Sequence, residues 1–302
     1  MGKLIINGVD GQLGGHIAEF VLEKTKDFSN LIFAGYNMEK LDKYKKMGIE
    51  IRHVDYNNTE NLPKAFEGAE TMVLVSMPFI GEPRRNAHKN AVDAAKIAGI
   101  KRIIYTSYSG AGDPSNQALV LEDHNFTEDY IKESGLIYRF VRDSNYAEAV
   151  LDTVMDSNFE AGKWISNQGA GRVAYIARED CAKAIAAVAM GAGEDNHAYT
   201  VCGTELLTCS DCMVIATEVI GKKFEFISVS DDELFAQFDK MGIPRTTEDM
   251  KNSPWPWCSE DMVSCGAAVR NKKMEIMTDD YKNLVGEKPM SLKQLFQRKY
   301  NK

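Results

Sequence analysis

Two stretches of this chain carry residues whose types and spacing could do chemistry. Near the N-terminus, Gly8-Val-Asp10-Gly11-Gln12-Leu13-Gly14 sets a glycine at every third position. Residues without a Cβ permit a tight turn and let the backbone approach a pyrophosphate closely. A helix opening at that turn adds unpaired N–H groups and a positive dipole end. In mid-chain, Thr106-Ser107-Tyr108-Ser109 clusters hydroxyls, with Ser107 suited to hydrogen-bond a substrate carbonyl and Tyr108 to cover it or donate to it. The same residues also read as a polar loop after a buried strand.

The elements around the glycines decide what the turn is for. Residues 3–7 form a short apolar run, and residues 15–24 place Ile17, Phe20, Val21 and Lys24 at helical spacing. Strand, glycine turn, helix is the context of a dinucleotide site, although an ordinary βα turn also uses glycine. Gly8, Asp10, Gly11, Gln12, Leu13 and Gly14 are therefore candidate cofactor residues.

Further βα alternation follows. Strands are expected at 31–35, 50–55, 71–76, 101–107 and 136–141, with helices at 59–66, 86–98 and 122–134. This pattern predicts an α/β fold, a doubly wound parallel sheet of Rossmann type over residues 1–150. Residues 151–302 are long enough for an elaborated second lobe, with segments returning to the sheet. Helices at 181–190, 208–220, 231–241 and 290–299 and strands at 198–202 and 224–229 are expected there.

After the second strand, Tyr36-Asn37-Met38-Glu39-Lys40 offers neither the carboxylate that holds a ribose 2′-OH nor an arginine for a 2′-phosphate. Lys40 and Lys43 either meet that phosphate or are solvated helix lysines. The balance favours NADP(H) over NAD(H), with Tyr36, Asn37 and Lys40 in the site. Asp55, followed by Tyr56, ends the third strand where it could face the adenine amino group, or lie in the loop. Ser76, Met77 and Pro78 close the fourth strand at the topological switch point, with Phe79 toward substrate. Arg84 and Arg85 read as surface charges at a helix start.

Past the sixth strand, Asn145 and Tyr146 leave toward the same cleft, as substrate contacts or as a cap packed underneath. Ser253-Pro-Trp255-Pro-Trp257 could wall a planar apolar substrate, or bury both rings in a core. Asp180 reads as a helix-capping carboxylate. Cys209-Ser-Asp-Cys212 stands without further ligands, in a first helical turn after Thr208, and reads as structural thiols with no metal.

The chain of 302 residues is 44% hydrophobic and 26% charged, with a net charge of −8 and no basic run. That balance argues against nucleic-acid partners. With no signal-peptide pattern and no apolar run of spanning length, the expectation is a cytoplasmic protein without membrane partners, monomeric or homodimeric.

The sequence resembles the NmrA-like, atypical short-chain dehydrogenase/reductase family. The resemblance rests on Gly8–Gly14, Tyr105–Gly110, Ser134–Tyr138, Arg142 with Tyr146, and Thr278–Tyr281 with Val285, Gly286 and Pro289. Within the family it is similar to the quinone oxidoreductase (type 2) and triphenylmethane reductase branch. The resemblance implies a cofactor cleft along Gly8–Gly14, Tyr36–Lys40, Asp55 and Ser76–Phe79, and a smaller α+β substrate lobe, mainly residues 151–302, covering the nicotinamide.

Two departures stand out. Tyr36 replaces the arginine of NADPH-binding members. Val120 and His124 occupy the tyrosine and lysine positions of the usual Tyr-x-x-x-Lys pair. Valine cannot protonate a carbonyl oxygen, so hydride transfer to a planar electrophile such as a quinone, enone or dye fits better than ketone reduction. Ser107 and Tyr108 would position the acceptor and His124 relay a proton. A ketone reductase on a steroid- or flavonoid-like molecule, and a non-catalytic NAD(P) sensor, are the alternatives.

Overall fold

The computed structural model describes residues 2–155 and 162–300. The chain opens as β1 (Lys3–Ile6), α1 (Gln12–Lys24), β2 (Leu31–Gly35), α2 (Asp42–Lys46), β3 (Glu50–His53), α3 (Leu62–Phe66) and β4 (Ala69–Leu74). It continues through α4 (Glu82–Ile97), β5 (Arg102–Tyr108), α5 (Val120–Glu133), β6 (Ile137–Asp143) and α6 (Ala147–Met155). After these come β7 (Lys163–Ser166), α7 (Arg178–Ala189), β8 (His197–Val201), α8 (Cys209–Ile220), β9 (Glu225–Ser228) and α9 (Asp231–Lys240). The last elements are α10 (Ser259–Arg270), α11 (Asp280–Val285) and α12 (Leu292–Tyr300).

Seven strands form one parallel sheet in the order β3-β2-β1-β4-β5-β6-β8, the doubly wound arrangement the sequence predicts. Its central strands bury apolar residues on both faces because helices cover both. Side chains alternate across the pleat. Leu4 and Ile6 join Phe33 against Ile17 and Val21 of α1 and Ile185 of α7. Ile5 and Ile32 instead face Phe66, Val92 and Ala95 on the opposite side.

The order reverses between β1 and β4, so the loops after these two strands diverge and leave a crevice at their carboxyl ends. Beyond the sheet, β7 and β9 pair in parallel over a core that includes Trp164, Phe224, Met213, Leu295 and Phe296.

Three differences from the sequence reading have identifiable causes, two local and one set by distant partners. Helix α4 begins at Glu82, with Pro83 in its first turn, four residues before the expected start. Proline suits that position because its missing N–H has no partner there anyway. Strand β7 is four residues long and too short to show a period. Asp180 does not cap α7. Ala177 is the cap, and the buried Asp180 carboxylate accepts the Tyr281 hydroxyl at 3.1 Å and the Met290 amide at 2.7 Å.

Thr208 caps α8 in a reciprocal box with Asp211. That leaves Cys209 and Cys212 buried in the first turn, where burial pushes the Cys209 thiol up to about 12 and raises Cys212 as well. Both stay protonated, poor nucleophiles and poor ligands. No helix among the described residues is long and apolar enough to cross a membrane.

Candidate active site

A single cleft of about 810 Å³ runs from the glycine turn to the hydroxyl cluster. The turn shows why its residues must be glycine. Gly8 sits at φ +73°, and a Cβ on Gly14 would stand 2.1 Å from the Gly8 carbonyl oxygen. Helix α1 starts at Gly11 without a side-chain cap, and its first turn lines the cleft. A cradle without side chains, at an open helix N-terminus, fits a pyrophosphate. Gln12 is held from outside, accepting Arg178 Nη1 at 2.6 Å.

At the adenosine end, Asp10 reaches the carboxyl end of β2, where its Oδ2 accepts the Asn37 amide at 2.9 Å. Lys40 Nζ donates to the Asp10 carbonyl at 3.1 Å, so a cation and a carboxylate share one corner. Lys43 instead pairs with Glu19 at 3.0 Å. Tyr36 is 67% exposed at the mouth, its ring tilted 5.5 Å from His53. Asp55 and Tyr56 line the wall, with Asp55 Oδ1 closing a turn on the Asn57 amide.

Side chains from β5 and α5 build the far end. The Ser76 amide donates to Thr106 Oγ1 at 2.8 Å and the Met77 amide to His88 Nε2 at 3.1 Å, which fixes the loop carrying Pro78 and Phe79. Since Nε2 accepts, the His88 proton lies on Nδ1 and points to Thr127 Oγ1 at 2.9 Å.

His124 belongs to the cleft wall and is buried. Its Nδ1 lies 2.9 Å from the Tyr105 hydroxyl, and its ring stacks on Tyr108. Burial, then Arg84 and His88, hold His124 well below the usual histidine range. The imidazole is therefore neutral. With Nδ1 engaged by the Tyr105 hydroxyl, Nε2 is the nitrogen left for a ligand.

The two hydroxyls of the 107–108 pair are differently engaged. Ser107 Oγ donates to Glu128 Oε1 at 2.7 Å, so its proton is committed away from any acceptor and its role as carbonyl donor is corrected. Tyr108 donates to Asn145 Oδ1 at 2.5 Å, and burial raises its pKa well above 10. Tyr146 donates to Asp143 Oδ2 at 3.0 Å and lies under Arg178, beside the glycine turn.

The tryptophans are a second correction. Trp255 and Trp257 do not line the cleft. They pack 5.5 Å apart against Leu234, Phe238, Ile243 and Val263. The faces of α9 and α10 leave an apolar surface there, and the prolines fold the segment back onto it.

A third correction concerns Arg84, read as a surface charge. It is buried and lines the cleft, whereas Arg85 reaches Asp123 at 2.7 Å. Its helical spacing was the available signal: Arg84, Ala87, His88, Ala91 and Ala95 share the buried face of α4.

Asp143, at the end of β6, was not foreseen as a cleft residue. Burial pushes its carboxyl up to about 7, opposed by bonds from Tyr146 and Cys181. An unfolded chain loses that proton near pH 4, so this group lowers stability as pH rises from about 4 to about 7. Asp143→Asn should stabilise the protein more at pH 8 than at pH 5, by about 2 kcal/mol. Denaturant midpoints at both pH values measure this, and equal gains at the two would contradict it.

Known proteins share the family and the fold. A family model described as NAD(P)H-binding matches residues 8–190. The chain belongs to the NAD(P)H-binding family. Quinone oxidoreductase 2 of Escherichia coli is 31% identical over 247 residues, covering 82% of this chain and 85% of that protein. The crystal structure of the Escherichia coli NADPH-dependent quinone oxidoreductase with NADPH superposes at a TM-score of 0.87, with 27% identity, 99% of this chain and 100% of that one. Citrobacter triphenylmethane reductase with NADP(H) gives 0.83, with 28% identity and coverage of 98% and 99%.

This family member is an NmrA-like, NAD(P)H-dependent oxidoreductase related to quinone and dye reductases. Among its described residues, no cluster of three or more His, Cys, Asp or Glu could hold a metal ion.

Proposed function

We propose that this oxidoreductase reduces planar conjugated acceptors, such as quinones, enones or dyes, by hydride transfer in the cleft. The observation carrying this reading is the cleft itself: one cavity joins the glycine cradle to an acceptor end without an acidic tyrosine. Tyr108 is pushed up rather than down, and no lysine lines the cleft among the described residues. A tyrosine-dependent ketone reduction lacks its acid, which disfavours the steroid-type alternative. The relatives named for quinone and triphenylmethane reduction support the same substrate class.

A bound reduced nicotinamide supplies the hydride. The first turn of α1 would hold the pyrophosphate, and Phe79, Tyr108 and His124, which line the same cleft, would bracket a flat acceptor. His124 offers Nε2 to it without changing charge. Solvent completes protonation, because the reduced anion is stabilised by conjugation; the protein contributes proximity and orientation.

Lys40 and Asn37 stand just outside the cleft lining, where Lys40 would favour NADPH by reaching a 2′-phosphate at the rim, and the Asp10 carboxylate at the same corner narrows that preference. Lys40→Ala should raise KM for NADPH about tenfold and leave NADH nearly unchanged. Asp10→Asn keeps the acceptor for the Asn37 amide and should lower KM for NADPH several-fold. Menadione-dependent oxidation of each nucleotide measures both. Parallel changes for NADH and NADPH would remove this corner from nucleotide choice. Tight nucleotide binding without oxidation by any acceptor would favour a sensor.

A further inference from the structure

Arg84 lies in the first turn of α4 yet is 6% exposed, within the wall of the acceptor end. Its Nε and Nη1 atoms are buried without a hydrogen-bond partner. Asp123 Oδ2 stands 3.8 Å from Nη1, beyond bonding distance, and is already engaged by the Gly81 amide at 2.6 Å. The other Asp123 oxygen accepts Arg85 Nη1 at 2.7 Å.

The carboxylates of Asp123, at 3.8 Å, and of Asp261 balance the Arg84 charge from a distance without bonding Nε or Nη1. His88 and His124 are kept uncharged by burial and by Arg84 itself, and Asp261 has its carboxyl pushed up to about 6 by burial. Leaving charged N–H groups buried and unbonded is unfavourable unless a ligand supplies the acceptor. Arg84 is also the one Lys or Arg among the described residues that line the cleft.

We propose that Arg84 is the anion-binding residue of the acceptor site, its under-bonded guanidinium holding the acceptor oxygen on which negative charge collects. The assignment rests on the hydride-transfer reading above. Hydride addition to a quinone or enone moves an electron pair through the conjugated system onto the carbonyl oxygen. The C=O π bond is lost, the acceptor is reduced and the nicotinamide oxidised. Arg84 stabilises the resulting oxyanion until one solvent proton neutralises it. A fixed cation there does the work that a tyrosine donor does elsewhere, without having to lose a proton.

A cationic triarylmethane dye separates this role from a structural one, since its reduction discharges a positive charge on carbon and makes no oxyanion. Arg84→Gln should lower kcat for menadione on the order of 100-fold, with Arg84→Lys recovering part. Crystal violet reduction should hold steady or rise. Equal losses on both acceptors would overturn the assignment, as would an unchanged menadione rate.

A second readout needs no turnover. Titrated with 4-nitrophenol, whose yellow phenolate reports its own ionisation, the wild type should bind the phenolate and lower the bound pKa by about one unit or more. Arg84→Gln should abolish that shift. A shift surviving in Arg84→Gln, or no saturable binding to wild type, would overturn the proposal. Arg84-dependent phenolate binding in a protein that reduces no acceptor would instead overturn the reductase reading alone.

Discussion

Gly14→Ala should weaken nucleotide binding by 100-fold or more, which is about 3 kcal/mol. The new methyl group would stand 2.1 Å from the Gly8 carbonyl oxygen and 2.5 Å from its carbon, and both are backbone atoms without a rotamer to escape into. Helix α1 would have to back away from the turn, taking its N-terminal amides out of reach of a pyrophosphate. Gly11→Ala is the graded control. Its methyl would meet only the Gly8 oxygen, at 3.3 Å, which a few tenths of an ångström relieve. A loss of a few-fold is expected there. Calorimetric titration with NADPH measures both variants, and far-ultraviolet circular dichroism checks that they fold. Near-normal affinity in a folded Gly14→Ala protein would mean that the nucleotide lies elsewhere.

Glu128→Ala should cost about 3 to 5 kcal/mol of stability and lower the melting temperature by about 10 °C. Glu128 is 1% exposed and receives Arg142 at 2.8 and 2.6 Å through both carboxylate oxygens, together with Ser107 at 2.7 Å. Truncation strands the Arg142 guanidinium half-buried and leaves Ser107 without its acceptor. The bond pair ties α5 to the ends of β5 and β6, so the acceptor wall loosens with it. Glu128→Gln, which keeps the shape and one acceptor oxygen, should lose less. A penalty below about 1 kcal/mol for the alanine variant would show that the pair contributes little net stability.

Much of the fold was legible because its determinants are local. The apolar run of β1, the glycines of the turn and the apolar face of α1 lie within 24 residues of one another, and each follows from backbone sterics or side-chain period. The end of the cleft built on the glycine turn was legible for the same reason.

What escaped depends on partners distant in sequence. Nothing near Asp180 indicates that Tyr281 and Met290 will take its oxygens. Nothing near Ser107 indicates Glu128. The tryptophans could face a ligand or a core, and the choice was made by α9 and α10. Arg84 differs from these. Its place on the buried face of α4 was written in the helical period, but its proximity to the helix start and its charge suggested solvent.

The most direct test of hydride transfer uses NADPH carrying deuterium at the transferable position of C4, with crystal violet and a cyclic enone as acceptors. The products are then weighed by mass spectrometry. Transfer within the cleft predicts one carbon-bound deuterium in the leuco dye or in the saturated ketone, with none acquired from deuterated water at that carbon. Products without deuterium, or stoichiometric nucleotide binding without any product, would contradict the account.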